Sequence, residues 1–200
     1  MRKLILAAAI AALAAPHALA QQAPAPAATM PQSGSYKLDK RHAKILWGAS
    51  HFGFSTYYGQ FTDFDASLTL DAATPANSKL SVTVQTTSLA TNDPALDKHL
   101  NSADFFDTAA HPTATFTSKA VRRTGARTAD VTGDFTLLGV TKPLTLAVTF
   151  NGAGVGPAKK PVAGFSATGT IKRSDYGMKY AIPNVADEVK LIISGEFNPA

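Results

Sequence analysis

Apolar and polar residues alternate along most of the chain after residue 36, with the period of two that is typical of β-strands. Turn-forming residues such as Pro, Gly and Asn separate the alternating runs. We count about eight such runs, which cover residues 44–50, 64–71, 80–85, 114–118, 129–137, 144–150, 165–172 and 189–197. Each run has one apolar face and the connections are short, so the pattern predicts an antiparallel sheet folded into a barrel or a sandwich.

One stretch, residues 93–112, breaks this alternation. Asp93 and Pro94 suit the N-cap and the first position of a short helix. The apolar residues that follow can share one helical face: Ala95, Leu96, Leu100 and Ala103. Phe105 and Phe106 come next, and two adjacent aromatic rings need an apolar surface to bury them. The sequence therefore predicts a helical insert followed by an aromatic clamp.

The apolar faces of the predicted strands contain many small residues, namely Ala49, Ala66, Ala114, Ser118, Ala129, Gly133, Ala167 and Gly169. An eight-stranded barrel is just wide enough to be filled by side chains or to hold one elongated ligand, so small inward residues favour a ligand cavity. The alternative is that the glycines mark strand bends and the alanines face large partners. The sequence leaves both interpretations open.

Residues 1–20 have the pattern of a secretory signal peptide. Arg2 and Lys3 precede an apolar run, and the small residues Ala18 and Ala20 predict cleavage after Ala20. No later run approaches the roughly 18 apolar residues of a membrane-spanning helix, so we expect no stable membrane anchor.

Two further segments follow the predicted cleavage site. Residues 21–35 are rich in Pro and Ala and carry no charge, which is typical of a flexible leader. Residues 36–200 hold all of the alternating runs. We therefore expect a single β-barrel domain over residues 36–200.

Charge gives little support for a nucleic-acid partner. The formal net charge of +5 falls to +3 once Arg2 and Lys3 leave with the signal peptide, because the first twenty residues hold no acidic group. The remaining basic residues are scattered and are not interleaved with aromatics. We expect the densest cluster to flank a solvated turn around Gly125: Arg122, Arg123 and Arg127.

Common catalytic and metal-binding signatures are absent from the sequence. The chain has no cysteine and no Gly-x-Ser-x-Gly motif, and its histidines lack close metal-ligand spacing. We expect no catalytic residue, no metal and no cofactor. His99 near Asp97 and Asp104, and Arg173 near Asp175, could act as acid–base groups. Alternatively, each is a polar residue that pins a turn or forms an ion pair on the rim, and we favour this second interpretation.

Several stretches, taken in order, resemble the YceI family of secreted bacterial proteins. The matching stretches are Asp39–His42; His51 with Gly53, Ser55 and residues 59–61; residues 99–100 and 102–107; residues 133–136 and 139–143; and residues 171–177. Two positions depart from the family pattern. Leu96 stands where the family usually has an arginine, and Tyr176 where phenylalanine is common.

The resemblance implies an all-β, lipocalin-like fold, an eight-stranded antiparallel barrel with a short helical insert near its mouth. It also implies a periplasmic protein that binds a long isoprenoid lipid, such as a polyprenyl phosphate or a quinone-like molecule, inside the barrel. It implies no established catalysis. The isoprenoid lipid is then the expected partner, and a homodimer stays open.

On this interpretation the candidate lining residues are Trp47, Leu68, Val82, Phe105, Phe106, Phe116, Phe135, Leu146 and Phe165. The candidate rim residues are His51, Lys98, His99 and Arg173. Two alternatives remain. One is an enzyme that acts on a small amphiphile with His99 and Asp104 as acid and base, and the other is a protein-interaction module whose barrel is filled.

Overall fold

The fold consists of ten β-strands and one α-helix within residues 30–156 and 159–200, which the structure, a computed structural model, describes. The expected signal peptide, and the expected leader as far as residue 29, lie outside the described residues. The strands are β1 (Gly34–His51), β2 (Ser55–Phe61), β3 (Phe64–Leu70), β4 (Lys79–Gln85), β5 (Leu89–Ala90), β6 (Thr113–Arg123), β7 (Thr128–Leu137), β8 (Val140–Val155), β9 (Pro161–Lys172) and β10 (Val185–Pro199). The helix α1 (Pro94–Leu100) lies between β5 and β6.

The strands close into one antiparallel barrel. Around the ring the order is β1, β3, β4, β6, β7, β8, β9 and β10, and β10 pairs with β1 to complete it. β1 pairs with β3 through residues 34–37 and with β2 through residues 45–51, so β2 and β3 share one position in the ring. The ring therefore has eight positions, which confirms the predicted eight-stranded barrel.

Strand β2 was missed by the sequence prediction, which found no alternating run between residues 50 and 64. The first four residues of β2 are all exposed, so no alternation of apolar and polar residues marks this strand. Its pairing with β1 defines it, and in this pairing Gly59 lies opposite Trp47.

Helix α1 begins as the sequence predicted. The Asp93 carboxylate accepts hydrogen bonds from the backbone N–H groups of Ala95 and Leu96, which would otherwise have no partner at the helix start. The helix ends at Leu100. Ala103, which we expected on its apolar face, lies in the turns that follow.

The aromatic pair after α1 anchors this segment to the barrel. Phe105 and Leu100 are buried in the core. The Phe106 ring packs edge-on against Phe61 of β2, with 5.6 Å between the ring centroids. The predicted aromatic clamp is therefore confirmed as a packing feature.

The two ends of the barrel carry different elements. The helical end holds α1, the β1–β2 hairpin and the β9–β10 loop, residues 173–184. The far end holds the β3–β4, β6–β7 and β8–β9 connections. None of the helices in the described ranges is long and apolar enough to cross a membrane.

Candidate binding site

The interior of the barrel contains two apolar chambers, one toward each end. The helix-side chamber has a volume of about 420 Å³ and extends from the barrel interior to α1 and the β9–β10 loop. The far chamber has a volume of about 240 Å³ and extends to the β3–β4 and β6–β7 connections. Ligand cavities in proteins measure roughly 300–1,000 Å³. The helix-side chamber reaches this range alone, and the far chamber reaches it only together with the other.

Four side chains line both chambers, and we call them the waist: Ile45, Val82, Leu146 and Ile193. Ile45 of β1 lies directly opposite Ile193 of β10 in the sheet. Because the same side chains face both spaces, the two chambers adjoin along the barrel. An elongated molecule that passes the waist can contact both.

The predicted apolar lining residues all face one chamber or both. Five line the helix-side chamber, namely Trp47, Phe105, Phe106, Phe116 and Phe135. Leu68 and Phe165 line the far chamber, and Val82 and Leu146 belong to the waist. These positions make the nine residues available to a ligand, and their contact with one stays a prediction.

The predicted rim residues are less uniform. His51, His99 and Arg173 line the helix-side chamber. Lys98 is exposed on α1 and lines neither chamber. A position one residue along a helix turns the side chain by about 100°, which places Lys98 and His99 on different faces.

The cavity does not arise from Gly133 and Gly169, which we had counted among the small inward residues. A Cβ added to Gly133 would lie 2.6 Å from a ring carbon of Phe116, and one added to Gly169 would lie 2.8 Å from a methyl of Leu146. Large neighbouring side chains already fill the space beside both glycines. Gly133 and Gly169 therefore lie beside large side chains, a role that the sequence analysis gave to the alanines and not to the glycines.

Trp47 lies against the backbone of the adjacent strand. A Cβ on Gly59 would approach Cζ2 of Trp47 to 2.2 Å, so the indole ring can occupy this place only beside a glycine. Within the described residues the buried Nε1–H of Trp47 has no acceptor. A buried donor without a partner is costly, which makes it a site where a ligand oxygen would be stabilised.

A cluster of rings joins α1 to the β9–β10 loop at the mouth of the helix-side chamber. The His99 ring packs edge-on against Phe105 and Tyr180, with centroids 5.1 and 5.2 Å apart. Phe105 and Tyr180 are themselves 5.3 Å apart. His99 Nε2 lies 2.9 Å from Oδ2 of Asp104, and both side chains are roughly half exposed. His99 and Asp104 therefore form the pair that the sequence suggested.

Arg173 lines the helix-side chamber, but its hydrogen bonds go to the backbone of the β9–β10 loop and of the start of β10. The side chain is 3% exposed, and its guanidinium donates to the backbone carbonyls of Met178, Tyr180, Val185 and Ala186 at 2.7–3.2 Å. Burial lowers the pKa of Arg173 below its usual value, which the charge of Asp187 partly opposes. Of the two structural roles that we favoured for Arg173, the structure shows the polar residue that pins a turn. Among the described residues Asp175 pairs with Lys142 instead, at 3.5 Å.

Asp187 ties the start of the same loop to β10. Its carboxylate accepts hydrogen bonds from the backbone N–H and the hydroxyl of Ser174, at 2.8 and 2.7 Å. Burial raises the pKa of Asp187, but these hydrogen bonds and the charge of Arg173 outweigh it and keep the pKa below its usual value. The carboxylate is therefore ionised near neutral pH, and Arg173 and Asp187 together hold the loop against the barrel.

The helical end also exposes aromatic side chains to solvent. At the tip of the β1–β2 hairpin, Phe54 is 88% exposed, and its ring stacks on that of Phe52 with 6.3 Å between centroids. The Phe52 N–H donates to the carbonyl of Asn184, which joins the hairpin to the β9–β10 loop. Tyr58 and Ile182 are exposed beside them. We call these four exposed side chains, three aromatic and one aliphatic, the aromatic rim: Phe52, Phe54, Tyr58 and Ile182.

Sequence reasoning missed several residues of the two chambers. Met178 lies in a loop without periodicity, so no pattern indicated that it faces the cavity. At the far end, Lys79, Arg123 and Arg127 line the far chamber. The last two were expected beside a solvated turn. The β6–β7 turn lies at the predicted position, but the sequence did not indicate that its residues line a cavity.

One cluster outside the barrel interior has the composition of a cation site. Ligand atoms of Asp39, His42 and Glu196 lie within 4.8 Å of one another. His42 Nδ1 is 2.9 Å from Asp39 Oδ2, and this hydrogen bond, with the charges of Asp39 and Glu196, raises the pKa of His42. A raised pKa favours the protonated ring, which has no lone pair for a metal, so we interpret the cluster as an ion pair.

Comparison with protein families places a YceI-like domain over residues 36–197. A UPF0312 protein of Pseudomonas putida strain W619 is 50% identical over 149 residues, which cover 74% of this chain and 78% of that protein. The protein YceI of Escherichia coli O157:H7 is 46% identical over 166 residues, which cover 82% and 86%.

Solved structures share the barrel. BcnA of Burkholderia cenocepacia superposes with a TM-score of 0.73 at 26% identity, over 80% of this chain and 98% of that one. The YceI protein of Campylobacter jejuni gives 0.68 at 32% identity, over 76% and 90%. A polyisoprenoid binding domain from Saccharophagus degradans gives 0.64 at 14% identity, over 84% and 100%, which supports the fold alone. The family domain and these relatives together establish that the chain belongs to the YceI-like family.

Proposed function

We propose that the protein binds and carries a long isoprenoid lipid in the periplasm and holds the lipid tail inside the barrel. The observation that carries the proposal is the pair of adjoining apolar chambers, of about 420 and 240 Å³, in series along the barrel. Such a space suits an elongated apolar chain better than a compact ligand. The Saccharophagus domain of the same fold is described as polyisoprenoid-binding, which is consistent with this choice of ligand.

The tail alone supplies enough free energy for binding. Burying an apolar carbon contributes about 0.8 kcal/mol, so three isoprene units of five carbons each contribute on the order of 10 kcal/mol. Association costs several kcal/mol of this gain. Each further unit past the waist adds more. We therefore expect binding that is about micromolar or tighter and that depends on the length of the tail.

Carriage requires exchange of the lipid with a membrane, and the aromatic rim supports this step. Two of its members adjoin the lining of the helix-side chamber, since the Phe52 ring packs on His51 at 4.8 Å and Ile182 follows Ala181. Aromatic residues partition into the interface of a bilayer. A mouth that touches the membrane would let a tail pass from lipid to protein with little contact with water. We therefore propose that loading occurs at the helical end.

An enzyme remains the second candidate, because His99 and Asp104 lie 2.9 Å apart at the mouth of a cavity. The binding proposal accounts for more of the site, since the His99 ring also packs between Phe105 and Tyr180 as part of the mouth. A His99→Ala variant that retains lipid binding but loses a ligand-dependent reaction would favour the enzyme. The filled-barrel alternative disagrees with the two chambers.

The experiment that tests the proposal is native mass spectrometry of the protein purified from the periplasm of its host, followed by organic extraction and identification of released molecules. We expect a bound species with an isoprenoid tail. A protein that is free of lipid and stays so after incubation with polyprenyl lipids would contradict the proposal.

A variant pair locates the lipid in the helix-side chamber. Phe106→Asp places a charge in the apolar lining and should weaken binding of a polyprenyl lipid at least about tenfold, because an unpaired carboxylate is poorly tolerated there. Val140→Asp is the control, since Val140 is exposed at the same end and lines neither chamber. Equal affinities of the two variants, both folded by circular dichroism, would show that the tail does not contact Phe106.

A further inference from the structure

Three basic residues gather where the far chamber meets solvent. Lys79 begins β4, Arg123 ends β6, and Arg127 precedes β7, and all three line the chamber. The rest of the lining is largely aliphatic and aromatic. The far end of the barrel therefore combines an apolar interior with a cationic mouth.

These cations make no ion pair with a carboxylate of the described residues. Arg127 donates through Nε to the Phe150 carbonyl at 2.9 Å, donates through Nη2 to the Asn151 carbonyl, and lies over the Phe150 ring. Arg123 reaches only the Gly125 carbonyl, at 3.5 Å.

Other basic side chains of the barrel are neutralised by acidic partners. Lys40, Lys119, Arg122 and Lys142 each pair with an aspartate. On the β3–β4 connection next to Lys79, Asp71 is ionised, since hydrogen bonds from the Thr74 N–H and Asn77 lower its pKa. Among the described residues that line the far chamber there are three cations and no aspartate or glutamate, so the mouth has an excess of positive charge.

The cations at the helical end are less available to bind an anion. The Arg173 guanidinium already donates to two carbonyls of the β9–β10 loop and to two at the start of β10. His99 is paired with Asp104. Lys98 and Lys179 are exposed but line neither chamber. Apart from Arg173, whose guanidinium already donates to four carbonyls, the Lys and Arg side chains that line the chambers within the described ranges are those of the far mouth.

We propose that the far mouth is a binding site for the anionic terminus of a single-chain amphiphile, a phosphate or a carboxylate, held by Lys79 and Arg123 while the apolar chain runs through the waist toward α1. Charge-assisted hydrogen bonds from Lys and Arg are the interactions that recognise such groups. The inference rests on the proposed function, because it assumes that the chain lies in the barrel. It adds the orientation of the ligand and a preference for an anionic head group.

The test compares two probes with the same tail, geranylgeranyl monophosphate and geranylgeraniol. Trp47 is the single tryptophan and lines the helix-side chamber, so its fluorescence reports binding of either probe. We expect the wild-type protein to bind the phosphate at least about tenfold more tightly than the alcohol. The preference should decrease as salt rises, because it depends on charge.

The decisive variants remove charge at one end or the other. Lys79→Gln with Arg123→Gln should abolish the preference for the phosphate over geranylgeraniol. Arg127 is left in place because it also holds the end of β8. The control is Lys98→Gln with Lys179→Gln at the helical end, which should keep the preference.

The outcomes separate the inference from the function on which it rests. Equal affinities of the wild-type protein for phosphate and alcohol overturn the inference and leave the binding function standing. A preference lost in the control pair but retained in the Lys79 and Arg123 variant also overturns it, since the head group then lies at the helical end. Failure of both probes to bind the wild-type protein contradicts the proposed function itself.

Discussion

At the scale of single residues, the lining of the helix-side chamber depends on a large side chain lying opposite a residue without one. Trp47 and Gly59 face each other across β1 and β2, and the indole covers the glycine. Protein interiors are packed closely enough that one added methyl group is felt. The shape of the chamber wall at this point is therefore set by a pair of residues.

We predict that Gly59→Ala moves the Trp47 ring. The added Cβ would lie 2.2 Å from Cζ2 of Trp47, and overpacking of this kind costs about 1–3 kcal/mol of stability. The free energy of unfolding in urea should fall by that amount, and the fluorescence maximum of Trp47 should shift.

Gly154→Ala is the control for this prediction, because a Cβ at Gly154 meets nothing within 4 Å. It should change stability by less than about 0.5 kcal/mol. If the two alanine variants are equally stable, the indole relaxes without strain and Gly59 does not determine its place.

At the scale of elements, the β9–β10 loop is held by polar contacts and the β1–β2 hairpin is left exposed. Arg173 holds the loop and the start of β10 together by donating hydrogen bonds to four backbone carbonyls. Asp187 holds the first residues of the loop by accepting a hydrogen bond from the Ser174 N–H. The hairpin is joined to the same loop through Phe52 and Asn184. The mouth is therefore a rigid frame that carries exposed aromatic side chains.

We predict that Arg173→Lys loosens this frame. An ammonium cannot reproduce the planar set of hydrogen bonds. Because several carbonyls then lose a charged donor, the free energy of unfolding should fall by about 2–4 kcal/mol. Hydrogen exchange of backbone amides should accelerate in residues 177–185. Arg122→Lys on the outer face should change stability by less than about 1 kcal/mol, because exposed ion pairs contribute little. Unchanged exchange in the loop of the Arg173 variant would contradict the role given to this side chain.

We predict that Phe54→Ser slows transfer of a polyprenyl lipid from vesicles to the protein several-fold while the affinity at equilibrium stays the same. Phe54 lies outside both chambers, so its removal affects contact with the bilayer and not the bound state. Val155→Ser is the matched control, since Val155 is 74% exposed at the far end of the barrel. Equal transfer rates for the two serine variants would mean that loading does not involve the aromatic rim.

At the scale of the whole molecule, the barrel brings four strands together at the waist, where one residue from each of β1, β4, β8 and β10 faces both chambers. The size of these side chains decides whether a tail can pass. The length of the bound chain is therefore a property of the closed ring and not of any one strand.

We predict that Val82→Phe divides the cavity. For a series of prenyl alcohols, wild-type affinity should keep rising with chain length, because each added unit buries more apolar surface. In the variant the rise should stop at a shorter chain. Ser81→Phe is the control, since Ser81 is exposed on β4 and lines neither chamber. The same dependence on chain length in both variants would contradict passage through the waist.

Local patterns of the sequence determined much of this protein. Alternation predicted the strands of the ring, because a strand buried on one face must place every second side chain inside. Asp93 and Pro94 predicted the start of α1, because capping depends on neighbouring residues alone. The ordered motifs indicated the family, and the apolar lining residues were chosen correctly as residues that face the interior.

Only the tertiary structure decided what depends on distant residues. β2 exists through its pairing with β1, and Lys98 lies outside the cavity lining. Arg173 donates its hydrogen bonds to backbone carbonyls that lie later in the chain, such as those of Tyr180 and Val185. The far mouth forms because β4 pairs with β6 and β6 with β7, which places Lys79, Arg123 and Arg127 at the same end of the barrel. Periodicity assigns each side chain to a face of its strand, but closure of the ring decides which side chains from different strands meet.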